Sequence, residues 1–206
     1  MRDFNMRKNN FTNQKLLMIG MIASVCIFVG HSNATTYVSK ANTGHVSFLA
    51  IGSPSFLKIE GKGSGTEGSL DVKDGKATGT FMFELASLDT GIDTRNEHMK
   101  EKYLKVSQNP KAILKVEEIK TAKGQLSLGE GLGSGQFKGQ LTLNGVTKAI
   151  EGVLEGSKHE KGGEKLNAKF SLKLTDYGIE IPSFAGITVA DEVKLEVATQ
   201  LEKGSI

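Results

Sequence analysis

The chain has 206 residues with 26 Lys and Arg against 23 Asp and Glu, a formal net charge of +3, one cysteine and no tryptophan. Four of the basic residues and one of the acidic ones lie in the first 34, which leaves 22 of each beyond them and a neutral remainder. That balance excludes the basic excess of a nucleic-acid-binding surface, and a lone cysteine excludes a disulfide-stapled fold.

Residues 1–34 have the layout of a secretory signal peptide. Arg2, Arg7, Lys8 and Lys15 precede an apolar run over 16–30, and Ser32 and Ala34 take the −3 and −1 positions of a cut before Thr35. The run is short for a transmembrane span, although an uncleaved anchor has the same outline. Cys26 lies inside it behind Val25, where a lipoprotein signal needs a small residue. The expected domains are therefore a cleaved leader, 1–34, and one domain, 35–206, of about 172 residues, long enough for a single hydrophobic core.

Beyond the leader the dominant pattern has period two. In chain order the apolar positions are Val46, Phe48 and Ala50; Phe81, Phe83 and Leu85; Leu114 and Val116; Phe137, Leu141 and Leu143; and Val146, Ile150 and Leu154. Leu166, Ala168, Phe170, Leu172 and Leu174 follow, and then Val193, Leu195 and Val197. Such runs are antiparallel strands with one apolar and one wet face. Asp74-Gly75 and Asn144-Gly145 are two-residue hairpin turns. The stretches 128–135 and 159–165 read as connectors, one flexible and one charged. About eight strands without a parallel crossover make one all-β domain, a closed barrel or a sandwich. Seven Phe, three Tyr and no Trp remain after the leader, too few for the aromatic girdles of a lipid-embedded barrel, so the apolar face points inward.

One helix interrupts the strands. In "DTRNEHMKEKYLKV" (93–106), Thr94-Arg95-Asn96-Glu97 fits a capping box, and Met99, Tyr103 and Val106 recur at helical spacing. Pro110 ends any continuation before the strand "AILKVEEI". Glu97 then caps, while Lys100, Glu101 and Lys105 solvate the outer face. His98 is the obvious candidate base, yet no serine elbow or cysteine stands near it. His45, His98 and His159 have no metal-ligand spacing, so neither catalysis nor a metal site is expected. A third reading has Arg95, His98 and Tyr103 ringing a barrel opening and meeting the polar end of a bound molecule.

The segment "SLDTGIDTRNEHMKEKYLKVSQNPKAIL" resembles the central signature of the YceI-like family, S-(I/L)-x-T-x-x-x-x-R-(D/N)-x-H-(L/M) followed by x-P-x-A. "FKGQLTLNGVTKAIEGVLEG", "AKFSLKLTDYGI" and "VADEVKLEVATQL" resemble three further pieces in the family's order, and the match runs from Gly44 to Leu201. The resemblance implies an antiparallel, eight-stranded lipocalin-like barrel with one short helix near 94–106. It also implies that the interior holds an amphiphilic polyisoprenoid or similar long-chain lipid, in a protein exported to the periplasm. Arg95 and His98 take the place of the family's R-x-x-H, and Asp176, Tyr177 and Gly178 that of its D-F-G. Two departures stand out: Tyr103-Leu104 replaces a usual Phe pair, and Gly52 lies where a second His is common.

On this reading Phe48, Phe81, Phe83, Leu141, Leu143, Phe170, Leu172 and Leu195 line the interior, each having plain core as its alternative. Arg95 and His98 meet a phosphate, quinone or carboxyl head, with Tyr103 alongside. Gly79, Gly135, Gly139 and Gly152 lie in or beside strands and read as room for a chain, with barrel curvature as the alternative. Phe184 and Ile187 are candidates for a greasy flap. No catalytic residue, metal or cofactor beyond the lipid itself is expected. The partners are an amphiphilic lipid, a membrane in transient contact, and in a homodimer a second copy. The rival function is a structural or stress-related envelope domain whose barrel is filled.

Overall fold

The computed structural model describes residues 34–204 except 42, 54, 56, 122–125, 127 and 185, and also leaves the side chains of Lys161 and Phe184 undescribed. The leader, apart from Ala34, and the flap role of Phe184 lie outside the described residues.

Eleven strand segments form one antiparallel sheet among the described residues, and eight of them close into a barrel. In ring order these are β1 (Thr35–Ser39), β4 (Glu67–Lys73), β5 (Lys76–Glu84), β6 (Lys111–Thr121), β7 (Gly133–Leu143), β8 (Val146–Lys158), β9 (Glu164–Lys173) and β11 (Ile187–Lys203). Closure removes the sheet edges that would otherwise invite pairing. β11 is the seam. It pairs with β9 along one side, and on the other with β2 (His45–Ser53) and, at its end, with β1. A break in register between Val189 and Val193 lets so long a strand bend. β3 (Lys58–Ser64) continues from β2 and bridges to the segment before the helix through Lys62 and Asp89. The short β10 (Ser183–Phe184) folds back onto the start of β11.

The expected hairpin turns are present. Asp74 and Gly75 have φ of 51° and 73°, Asn144 and Gly145 of 50° and 75°, the left-handed pair that matches the twist of the flanking strands. Alternation sets the faces of β9: Leu166, Phe170 and Leu172 are buried, whereas Lys165, Lys169 and Lys173 are exposed.

The helix departs from expectation. α1 (Asp93–Glu97) is one turn long, and the chain continues as a π-helical stretch over His98–Tyr103 before Lys105 turns left-handed. Thr94 lies inside α1, not ahead of it, and no side chain caps the start, so the capping box does not form. Asn96 anchors the entry instead: its Oδ1 accepts from the backbone N–H and the hydroxyl of Thr90, and its Nδ2 donates to Asp89. Met99, Tyr103 and Val106 do face the core.

The strand glycines also read differently in the fold. A Cβ at Gly79 would strike the carbonyl of Ser69, and one at Gly139 the carbonyl of Lys115. At Gly135 it would lie 2.7 Å from the carbonyl of Lys120, and at Gly152 2.5 Å from that of Lys169. None of the four lines the cavity described below. They allow neighbouring strands to coil tightly, which is curvature and not room for a chain.

A candidate lipid cavity above a sealed floor

The two ends of the barrel are built differently. At one end Tyr37, Leu70, Leu132, Leu166 and Leu201 fill the interior, with Leu70 and Leu201 wholly buried. The segment taken as a flexible connector plugs this end with buried Leu128 and Leu132. Glu164, expected in a charged connector, is fully buried. Its Oε2 accepts from the backbone N–H groups of Gly129 and Gly131 at 2.8 and 3.2 Å, and its Oε1 from that of Leu132 at 2.6 Å. Charge-assisted bonds of this kind offset the burial of a carboxylate. The Tyr37 hydroxyl donates to the carbonyl of Leu128 at 2.9 Å. Burial first, and the nearby Glu164 second, hold its pKa above the ordinary tyrosine value. Gly156 makes room for this anchor, since a Cβ there would sit 2.6 Å from Glu164 Oε1. A glutamate beside a Gly-Gly pair gives no sequence cue to such a role.

At the other end the same alternating strands enclose a cavity of about 520 Å³. Phe48, Phe81, Phe83, Leu141, Leu143, Phe170, Leu172 and Leu195 all face it, with Val46, Ala50, Val193 and Val197 from the seam strands. The size falls within the range of small-molecule sites, and so does the ratio of apolar wall to few polar groups. Gly61 and Gly63 bring β3 flush against this wall: a Cβ at Gly61 would overlap the Phe48 ring, and one at Gly63 would lie 2.5 Å from Phe83.

The mouth is framed by Leu57 and Ile59, by Ile92, Thr94, Arg95, His98, Met99 and Tyr103 around the helix, and by Pro182, Ser183 and Ile187 of the β10–β11 hairpin. Ile92 is 51% exposed, one of few large apolar side chains so placed. Arg95 is held by its neighbours. Its Nε donates to the Thr90 hydroxyl at 2.9 Å and one terminal nitrogen to the Thr90 carbonyl at 2.6 Å. It takes part in none of the ion pairs among the described residues. A guanidinium has five N–H donors, so this one retains donors and its full charge at the mouth. His98 is exposed and lines the same opening, and Tyr103 lies under the Lys102 ammonium, 5.2 Å from its ring centre. Asp89 below α1 accepts from the backbone N–H of Gly91 and from Asn96, which hold its carboxyl below the usual Asp value.

Asp176 and Tyr177 close a 3₁₀ turn, Leu174–Tyr177, with Gly178 at φ 65°. Tyr177 does not line the cavity, and its buried hydroxyl has no hydrogen-bond partner among the described residues. Burial, then Asp176, pushes its pKa up to about 12. No group of three or more His, Cys, Asp or Glu able to hold a metal ion occurs among the described residues. No described helix is long and apolar enough to cross a membrane, which says nothing of spanning by strands.

Comparison with known proteins follows the fold. The family model described as "YceI-like domain" matches residues 37–201. A protein described as BcnA of Burkholderia cenocepacia has a similar structure, with a TM-score of 0.61 at 15% identity, over 76% of this chain and 95% of that one. A polyisoprenoid binding domain from Saccharophagus degradans, described as implicated in plant cell wall breakdown, gives 0.62 at 14% identity, over 84% and 100%. The YCEI protein of Campylobacter jejuni gives 0.51 at 18%, over 72% and 86%. At these identities the likeness is one of fold. No curated protein sequence matches.

Proposed function

Since the chain belongs to the YceI-like family, we propose that it is a binding protein that carries a long-chain amphiphilic lipid in its barrel. The cargo class is a polyisoprenoid, an isoprenoid quinone or a fatty-acid derivative, and the leader sends the protein to the periplasm. The observation that carries this reading is the cavity of about 520 Å³ with an almost wholly apolar wall. Each methylene taken from water into such a space gains about 0.8 kcal/mol. Ten of them give about 8 kcal/mol, enough to exceed the several kcal/mol of motion lost on binding. Chain length sets affinity on this account, and no single wall residue is indispensable. Arg95, with His98 and Tyr103 beside it, supplies the polar contact for the lipid head at the mouth. The chemistry asked of the protein on this reading is binding alone.

The test replaces Ala50, a small buried side chain in the cavity wall. Ala50→Phe fills the cavity, and saturable binding of a fluorescent polyprenyl probe is expected to drop at least tenfold with the circular dichroism unchanged. Equal affinity in a folded variant would place the lipid elsewhere or nowhere.

A further inference from the structure

The floor of the cavity has a polar feature that neither the alternation nor the family pattern accounts for. Three hydroxyl residues meet there: Ser39 at the end of β1, Thr66 before β4 and Thr199 on β11, all buried. Ser39 Oγ donates to the Thr66 carbonyl at 3.1 Å and shares a short hydroxyl–hydroxyl bond with Thr199 Oγ1. With the Ser39 proton on that carbonyl, Thr199 is the donor to Ser39, so both of these groups are satisfied. Thr66 is not. It is 2% exposed, it lines the cavity, and its Oγ1 has no hydrogen-bond partner among the described residues. Gly44 clears the space around it, for a Cβ there would lie 2.7 Å from Thr66 Cβ and 3.2 Å from Thr199 Oγ1.

A buried hydroxyl is ordinarily paired, and one that is not has a reason to be looked for. A turn about χ1 exchanges the methyl and hydroxyl positions of threonine between staggered wells. Because the resting hydroxyl makes no bond, that turn breaks none. Val46 and Val197 form the neighbouring apolar wall, and beyond Ser39 and Thr199 lie the packed side chains of the sealed end.

We propose that Thr66 is a hydrogen-bonding site for the deep end of the cargo, and that the cargo carries a polar atom there as well as a long apolar chain. This rests on the lipid-carrier reading and refines it. A hydroxyl both donates and accepts, so an alcohol, a carbonyl or a carboxyl oxygen all satisfy it. Two insertions supply such an atom: a chain polar at both ends with one end at the floor, or a one-headed lipid that enters head first.

The experiment compares saturated fatty acids with their ω-hydroxylated analogues over a ladder of chain lengths, by displacement of a fluorescent probe. Wild type, Thr66→Val and Thr66→Ser are measured side by side. The expected result is a preference for the ω-hydroxy acid that peaks at the length reaching the floor. Thr66→Val lowers that affinity about tenfold, which corresponds to about 1.4 kcal/mol, and Thr66→Ser restores it. Loss of affinity in Thr66→Val for plain acids at every length supports the same site with head-first entry. Binding of both series to Thr66→Val as to wild type overturns the floor site and leaves the carrier reading intact. Failure of every acid to bind wild type overturns the carrier reading itself.

Discussion

The two halves of this barrel are made from the same strands and end in opposite ways. On β11, Leu201 is wholly buried in packed side chains, whereas Leu195, six residues earlier on the same inward face, borders a cavity. On β9 the contrast runs from Leu166 to Leu172. Period-two alternation decides which side chains point in, and says nothing about whether anything meets them there. What fills the sealed half is a connector, drawn in by Glu164 through three backbone N–H groups. What leaves the other half hollow is a helix and a hairpin that frame the opening instead of entering it.

The contrast can be broken by one substitution made twice. Leu201→Ala removes a side chain packed on all sides and is expected to cost about 4 kcal/mol, whereas Leu195→Ala enlarges an existing space and costs about 2. Chemical denaturation of both variants checks the difference; equal losses would mean that the two halves are packed alike. Glu164→Gln sets an amide N–H₂ against backbone donors and leaves at least one N–H unpaired. A loss of about 3 kcal/mol is expected, with lipid affinity per folded molecule unchanged. Weaker lipid binding in the folded variant would show that the plug shapes the cavity.

Smaller effects sharpen the account at the mouth and beside it. Arg95→Ala is expected to weaken acids and phosphorylated prenols about tenfold in a displacement titration, while an uncharged prenol of the same length binds as before, in line with about 1.4 kcal/mol for one charge-assisted contact. An equal loss for all three would make Arg95 only a strut for Thr90. Tyr177→Phe removes a hydroxyl without a partner and is expected to change stability by less than about 1 kcal/mol at neutral pH. Its mark appears in alkali. A tyrosine whose folded pKa is raised to about 12 contributes stability that is intact below the unfolded value of about 10 and lost as pH rises through the folded one. Thermal melts between those values are expected to fall less steeply for the variant than for wild type, with Tyr37 accounting for part of the remaining slope. Parallel slopes would refute that assignment.

The fold was largely open to reading because its determinants are local. Alternation in "KLNAKFSLKL" and the dipeptides Asp74-Gly75 and Asn144-Gly145 act within a few residues. Of the inward residues predicted from that alternation, Phe48, Phe81, Phe83, Leu141, Leu143, Phe170, Leu172 and Leu195 border the cavity, while Phe137, Leu154 and Leu166 are buried away from it. The capping box failed because α1 begins at Asp93, one residue before Thr94, and the entry is held instead by Asn96 and Arg95 through their bonds to Asp89 and Thr90. Glu164 and Thr66 were illegible for a different reason. Glu164 meets the N–H groups of Gly129, Gly131 and Leu132, and Thr66 lies beside Ser39, which bonds its carbonyl, and beside Thr199, which bonds Ser39; all are brought near only by barrel closure. A glutamate among lysines and glycines, or a threonine in a turn, is most often solvent-facing. No spacing rule marks the exceptions.

The measurement that bears most directly on the carrier claim is native mass spectrometry of the domain beginning at Thr35, produced with export and followed by solvent extraction of whatever adds mass. The account predicts one long-chain isoprenoid or fatty species per protein molecule, released by the solvent and bound again on addition. A bare protein that also refuses added polyprenyl lipids would contradict it, and would leave a barrel whose cavity serves no cargo.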